Sequence, residues 1–178
     1  HSSPRLFILN CRGETVNLYV VRHAEAVSIG DGVLSDFDRP LSNRGRADAM
    51  MMARALAHID LEIKAILTSP LVRAVETSEI FGRELKREPQ TTPRLDPGFS
   101  PRLLQEEILA ASNGPGVIVI GHQPDMGAFI SYLISPAHAA TVAMETSAVA
   151  CLNLQTTGSA HLRWLLTPET VRRMNFAS

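Results

Sequence analysis

The stretch Gly116-Val-Ile-Val-Ile-Gly-His-Gln-Pro124 decides the fold. Four consecutive β-branched apolar residues, Val117 to Ile120, leave neither face of a strand polar. Such a strand is buried on both sides, as in the middle of a parallel sheet covered by helices. It runs straight into His122, and Pro124 stands where a helix can begin, at its first position. Met126, Phe129, Ile130, Leu133 and Ile134 then recur at helical spacing. One segment therefore reads as strand, histidine, helix.

The same grammar occurs earlier, in Tyr19-Val-Val-Arg-His-Ala-Glu-Ala26. Leu18 to Val21 predicts a second buried strand, and it delivers Arg22 and His23 together at its end. Residues 27–41 are rich in Gly, Asp, Ser and Pro and read as a loop. Ser42 is placed to cap a helix whose inner face is Ala49, Met52, Ala53, Leu56 and Ala57. Ile63 to Leu67 predicts another strand. Ser69 and Pro70 have the residue types of a cap and first helical position, followed by an inner face of Leu71, Ala74, Ser78, Phe81 and Leu85. A short strand is expected over Gln90 to Leu95, and a helix over Arg102 to Ala111 ended by Asn113-Gly114. Two late strands, Ala148 to Leu154 and His161 to Leu166, flank a hairpin turn at Thr156-Thr-Gly-Ser159. Alternating strands and helices predict a three-layer α/β/α sandwich with a mainly parallel sheet.

Bulk properties narrow the function classes. At 178 residues the chain is expected to be a single domain, residues 1–178, with a sizeable core. His1 to Ser3 read as a tag remnant. Apolar residues make up 45% and charged residues 20%, the balance of an ordinary globule. A net charge of −1 gives no global attraction to nucleic acid or a membrane surface, so neither is expected as a partner. No apolar run approaches the roughly 18 residues of a membrane span. Cys11 and Cys151 are read as free thiols, and a cytoplasmic location is expected.

Any anion site must then be local. In open α/β sheets, ligands bind off the carboxyl ends of strands. His23 and His122 both arrive at such ends, and Arg73 follows in the first turn of the helix after Pro70. Helix N-termini favour anions through free N–H groups and the dipole. Arg22, His23, Arg73 and His122 can thus form one electropositive pocket. Arginine matches phosphate oxygens with a planar fork. A neutral histidine can attack phosphorus, and a second, if protonated, can donate to the equatorial oxygens. One nitrogen of His23 is expected to donate to a backbone carbonyl and leave the other free. No metal or other cofactor is required by this set.

Five segments, VVRHAEA, RPLSNRGRADA, LTSPLVRAVET, VIVIGHQPDM and METSAVACLNL, resemble the histidine phosphatase superfamily in order and spacing. The branch they look like is the small SixA-type phosphohistidine phosphatases, over about Leu18 to Leu166. By that resemblance His23 is the nucleophile that becomes phosphorylated, and Arg22, Arg73 and His122 make the phosphate pocket. Ala24 stands where many members have Gly. The glutamate that larger branches use as proton donor has no counterpart in Arg94-Leu-Asp-Pro-Gly-Phe-Ser-Pro101. Asp96 and Asp38 are the candidate donors. Asp38-Arg39 also has a plainer reading, as an exposed ion pair.

A missing acid favours a good leaving group, because an alkoxide needs a proton badly and imidazole is a much better leaving group, above all when protonated before cleavage. The expected substrate is therefore a phosphohistidine-bearing protein. A small phosphomonoester is the alternative, and a non-catalytic phosphate-binding module a third reading. Larger small-molecule branches insert long segments between the second arginine and second histidine to roof the pocket, so by that resemblance the 48 residues between Arg73 and His122 imply an open, shallow site. His58, His138 and His161 read as ordinary histidines, and Glu25 equally as a brace for the first loop or as a ligand contact. Thr146 and Ser147 are placed to approach the pocket.

Overall fold

The computed structural model describes residues 15–30, 32–33, 35–59, 61–112, 116–135, 137 and 141–174. His1 to Ser3, Cys11, Asn113-Gly114 and His138 lie outside them.

Among the described residues six strands form one sheet: β1 (Thr15–Arg22), β2 (Ala65–Thr68), β3 (Pro89–Thr91), β4 (Gly116–Gly121), β5 (Val149–Gln155) and β6 (Ala160–Leu166). Five helices accompany them: α1 (Asn43–His58), α2 (Val72–Leu85), α3 (Pro101–Ala111), α4 (Asp125–Ile134) and α5 (Pro168–Arg173). The strand order is β3-β2-β4-β1-β5-β6. The β3–β2, β2–β4 and β4–β1 pairs are parallel. The β1–β5 and β5–β6 pairs are antiparallel, so β5 alone runs against the rest. The sheet is mainly parallel, as expected.

The apolar run that opened the reading lies at the centre. Val117 and Val119 belong to a core with Leu18, Val20, Leu104, Ile108, Met126 and Phe129. Ile118 and Ile120 turn the other way, into a core with Tyr19, Val21, Met52, Leu56, Ala74 and Phe81. Alternate side chains of one strand thus glue α3 and α4 to one face and α1 and α2 to the other. Full burial of a Val or Ile is worth about 1.5–3 kcal/mol each, so this strand is a large share of what holds the three layers together. Among the described residues no helix is long and apolar enough to cross a membrane.

The local differences have local causes. β1 begins at Thr15, three residues before the expected start, because its first turn of ladder pairs Thr15 with Gln155 of β5. β3 stops at Thr91 rather than Leu95. Pro93 cannot donate to a ladder, and Thr92 accepts from the Arg94 N–H, starting a 3-10 turn over Pro93–Leu95. α2 begins at Val72 with Leu71 as its cap residue, so Ser69 and Pro70 shape the strand-to-helix bend instead of the helix itself. Pro124 is the cap residue of α4, one place before its expected position. α5, capped by Thr167, had no expectation attached to it. The Thr156–Ser159 turn closes the β5–β6 hairpin, with Gly158 at φ +106°, a conformation only glycine adopts readily.

Candidate active site

The register of β1 and β4 sets the site. Val21 lies beside Ile120 and Arg22 beside Gly121. The His23 N–H then donates to the Gly121 carbonyl at 2.9 Å, carrying the ladder one step past the strand. His23 and His122 therefore leave neighbouring strand ends together. Their ring centroids are 5.0 Å apart at a tilt of 55°.

β2 lies on the other side of β4, and the Ser69 N–H donates to the Ile120 carbonyl at 3.0 Å. This brings the start of α2 to the same edge. Arg73 Nε donates to His23 Nε2 at 3.2 Å. All four expected residues, Arg22, His23, Arg73 and His122, are thus at one edge of the sheet. Three are largely withdrawn from solvent, His23 at 8%, Arg73 at 6% and His122 at 5% exposure. That is a tighter arrangement than the open, shallow site expected from chain length.

Each side chain is held by a named partner. Arg22 Nη1 donates to the Met144 carbonyl at 2.8 Å. The Ser147 N–H reaches the Arg22 carbonyl at 3.2 Å, so the segment before β5 supports Arg22 from two directions. His23 Nδ1 donates to the Ala24 carbonyl at 2.7 Å, which fixes its proton on that nitrogen. The Ala24 N–H donates to Thr77 Oγ1 at 3.1 Å, and Thr77 Oγ1 donates to the Arg73 carbonyl at 2.7 Å. One hydroxyl therefore locks the loop after His23 to the helix turn that carries Arg73. His122 Nε2 and Ser69 Oγ lie 2.8 Å apart.

Two expectations change. His23 Nε2 is not free: its lone pair accepts from Arg73. Nor is His122 cationic. Burial, then the neighbouring His23 and Arg73 charges, pushes it down to about 3. Burial first, then Arg73 and Arg22, pushes His23 down to about 4 against the Ala24 carbonyl, which acts the other way. Both rings are neutral at pH 7.

The candidate acids sort differently from expectation. Asp38 is exposed on its loop, and the carboxylate that reaches the cluster is Asp36. Arg73 Nη1 donates to the Asp36 carbonyl at 2.6 Å and Nη2 to Asp36 Oδ2 at 3.0 Å. Asp36 also pairs with Arg39 at 2.8 Å, so the ion pair expected for Asp38-Arg39 forms two residues earlier. The bond from Arg39 holds the Asp36 carboxyl below its ordinary value. Asp96 follows the 3-10 turn, half-buried, and its Oδ1 is buried without a partner.

Sequence reasoning missed Asp36, the Ser69 hydroxyl, Thr77 and the Met144 carbonyl. Ser69 carried a usable signal, since it follows a strand that ends at the same sheet edge as His23 and His122. A backbone carbonyl carries none. The brace read into Glu25 is present: Ser42 Oγ donates to Glu25 Oε1 at 2.7 Å and accepts from the Gly45 N–H at 2.9 Å. Cys151 is a buried thiol, pushed up to about 11 by burial. His161 is exposed, and His58, also exposed, lies 3.1 Å from the Arg54 carbonyl. Among the described residues no group of three or more His, Cys, Asp or Glu is arranged to hold a metal ion.

Several buried polar atoms here have no partner among the described residues: Arg22 Nε, His122 Nδ1 and Ser147 Oγ. Buried polar groups are almost always satisfied. Unpaired donors beside two guanidinium groups and a neutral imidazole fit a bound tetrahedral oxyanion, whose several oxygens accept many hydrogen bonds at once.

The comparisons agree with that chemistry. The sequence model of the histidine phosphatase superfamily (branch 1) matches residues 18–97. An uncharacterized protein of Picosynechococcus sp. is 36% identical over 115 residues, covering 63% of this chain and 69% of that protein. The phosphohistidine phosphatase SixA of Escherichia coli K12 is 29% identical over 157 residues, covering 86% of this chain and 94% of that one. A solved structure of the protein histidine phosphatase SixA complexed with tungstate superposes with a TM-score of 0.78 at 28% identity. It covers 88% of this chain and 99% of its own.

Proposed function

The chain belongs to the histidine phosphatase superfamily, in its SixA-type branch, and from this premise we propose that it removes phosphate from phosphohistidine on a partner protein, with His23 as nucleophile. It is a phosphatase, a hydrolase working through a histidine. The substrate and the residue roles are our reading.

In that reading His23 Nε2 attacks phosphorus in line with the bond to the substrate imidazole. The Nε2–P bond forms as the N–P bond of a substrate ring protonated by solvent on its other nitrogen breaks, and the electron pair leaves on that ring, which departs as neutral imidazole. Arg73 Nε–H moves from the His23 lone pair to a phosphoryl oxygen as the phosphate enters. Arg22 and His122 bind the remaining oxygens. Water then attacks the phosphorus of phospho-His23, the Nε2–P bond breaks, and phosphate departs with the proton balance made up by solvent. Positioning and charge complementarity carry most of phosphoryl-transfer catalysis, and the four side chains supply both.

The observation that carries the choice of substrate is the state of Asp36. It is the one described carboxylate bonded to the cluster's arginine, and its pairing with Arg39 keeps it ionised. An ionised carboxylate cannot give a proton to a leaving alkoxide. A substrate imidazole already protonated by solvent on its other nitrogen leaves without that help, and general acid catalysis is typically worth about 10²–10⁴-fold. That the SixA structure was solved with tungstate, a tetrahedral oxyanion, is consistent with a phosphate site here. We place the enzyme in the cytoplasm, where Cys151 would stay a thiol.

The test is kcat/KM for a phosphohistidine-bearing protein against a panel of sugar phosphates. The expected ratio is about 10² or more, following the acid-catalysis factor. A ratio near one, or in favour of a sugar phosphate, would move the small phosphomonoester reading ahead.

A further inference from the structure

We propose that Ser69 is a positioning residue that fixes the tautomer of His122, placing the ring proton on Nδ1, where it serves as a donor to the phosphoryl group. The proposal rests on the assignment of His122 to the phosphate pocket.

The geometry is a short donor chain. Ser69 is fully buried, and its Oγ has two neighbours. The Leu71 N–H approaches Oγ at 3.4 Å as a donor, and His122 Nε2 lies at 2.8 Å. A hydroxyl has one proton to give. With Leu71 donating to Oγ, the Ser69 proton is available for His122 Nε2, which must then be the unprotonated nitrogen. The ring is neutral, so its single proton sits on Nδ1. That nitrogen is buried and has no partner among the described residues.

The opposite tautomer fits worse. Nε2–H and the Leu71 N–H would both donate to Oγ, leaving the Ser69 proton without an acceptor among the bonds made at this hydroxyl. Nδ1 would become a bare lone pair in the phosphate pocket, and phosphoryl oxygens are themselves acceptors. The serine therefore lets a neutral histidine act as a donor without first taking up a proton.

The ligand-free protein can be tested directly by 15N-histidine NMR, which reads the protonated nitrogen of each ring. We expect His122 to show a pyrrole-type Nδ1 and a pyridine-type Nε2. Ser69→Ala should move it toward the Nε2–H form. Turnover of phosphoramidate should fall about 10–100-fold, the usual scale for losing a group that orients another, chiefly in kcat, with the thermal midpoint tracked alongside. Ser69→Cys, which keeps a weak donor, should recover part of both. A pyridine-type Nδ1 in the wild type overturns the proposal without any variant. So does a Ser69→Ala protein that folds with an unchanged tautomer and unchanged kcat. Because the tautomer is read without substrate, it stands or falls apart from the substrate reading: wild type that ignores phosphohistidine yet shows the Nδ1–H form would refute only the latter.

Discussion

Lowering the pH from 7.5 to 5 is expected to destabilise the protein by about 2 kcal/mol through His23 alone. The unfolded chain has an ordinary histidine, near 6.5. The fold holds His23 down at about 4, because the charged ring would be buried beside Arg73 and Arg22. Between those values the unfolded state binds a proton that the native state refuses, so stability rises with pH across the window. At pH 7.5 neither state is protonated and the contribution is close to zero. At pH 5 the unfolded histidine is almost fully charged and the native one hardly at all, which gives about 2 kcal/mol by linkage. Below pH 4 the loss levels off near 3 kcal/mol, from about 1.4 kcal/mol per unit. His122 is shifted in the same direction and adds to the trend. Carboxylates contribute as well, so the useful quantity is a difference of differences. Urea denaturation at pH 7.5 and pH 5, with m checked for constancy, should show a pH effect about 2 kcal/mol smaller in His23→Ala than in wild type. Equal pH effects in the two proteins would mean that His23 is not held neutral by its surroundings, and the account of the pocket's electrostatics would fail with it.

Three further outcomes are expected. His23→Ala should lose turnover and still bind inorganic phosphate, and the wild type should trap an acid-labile, alkali-stable phosphoryl label; full activity in His23→Ala would end the nucleophile assignment. Asp36→Asn should tighten inorganic phosphate binding a few-fold by calorimetry, since a charge that competes for Arg73 is gone and such a pair is worth about 1 kcal/mol near water; weaker binding would show that Asp36 serves mainly to hold Arg73 in place. Gly127→Ala should cost about 1–3 kcal/mol by overpacking, because a Cβ there runs into the Val142 carbonyl oxygen, and phosphate affinity should drop with it, since the same segment carries the Met144 carbonyl that holds Arg22; unchanged thermal midpoint and affinity would contradict both halves.

The sequence made the centre of the fold legible and left its joints obscure. Val117 to Ile120 could be placed because four apolar β-branched residues in a row have one good environment, and the parallel pairing with Leu18 to Val21 followed from two histidines needing one sheet edge. The proposed site residues Arg22, His23, Arg73 and His122 could be picked out for the same reason: each lies at the end of a strand or in the first turn of a helix that the pattern could locate. Helix starts were harder. Ser69 and Pro70 have the composition of a cap, and only tertiary structure shows that the serine hydroxyl turns toward His122 instead of the helix N–H groups. The loop acid was misplaced by two residues, from Asp36 to Asp38, because loops have no periodicity to fix which side chain points inward. The neutrality of His122 was not legible at all, since it comes from burial among groups far apart in the chain.

The strand order carries a consequence for how the molecule comes into being. β4 lies between β1 and β2, yet about 50 residues separate it from β2 and about 95 from β1 in the chain. While the polypeptide is still emerging from the ribosome, β1 with Arg22 and His23 and β2–α2 with Ser69 and Arg73 have no strand to join them. Such long-range parallel pairings are slow, because chain entropy is lost before any contact repays it. β4 is the strand that joins β1 to β2, and it brings His122 to the edge where Arg22, His23 and Arg73 meet. A nascent chain stalled before residue 116 would lack β4 and His122, and with them a continuous sheet and the complete set of four side chains.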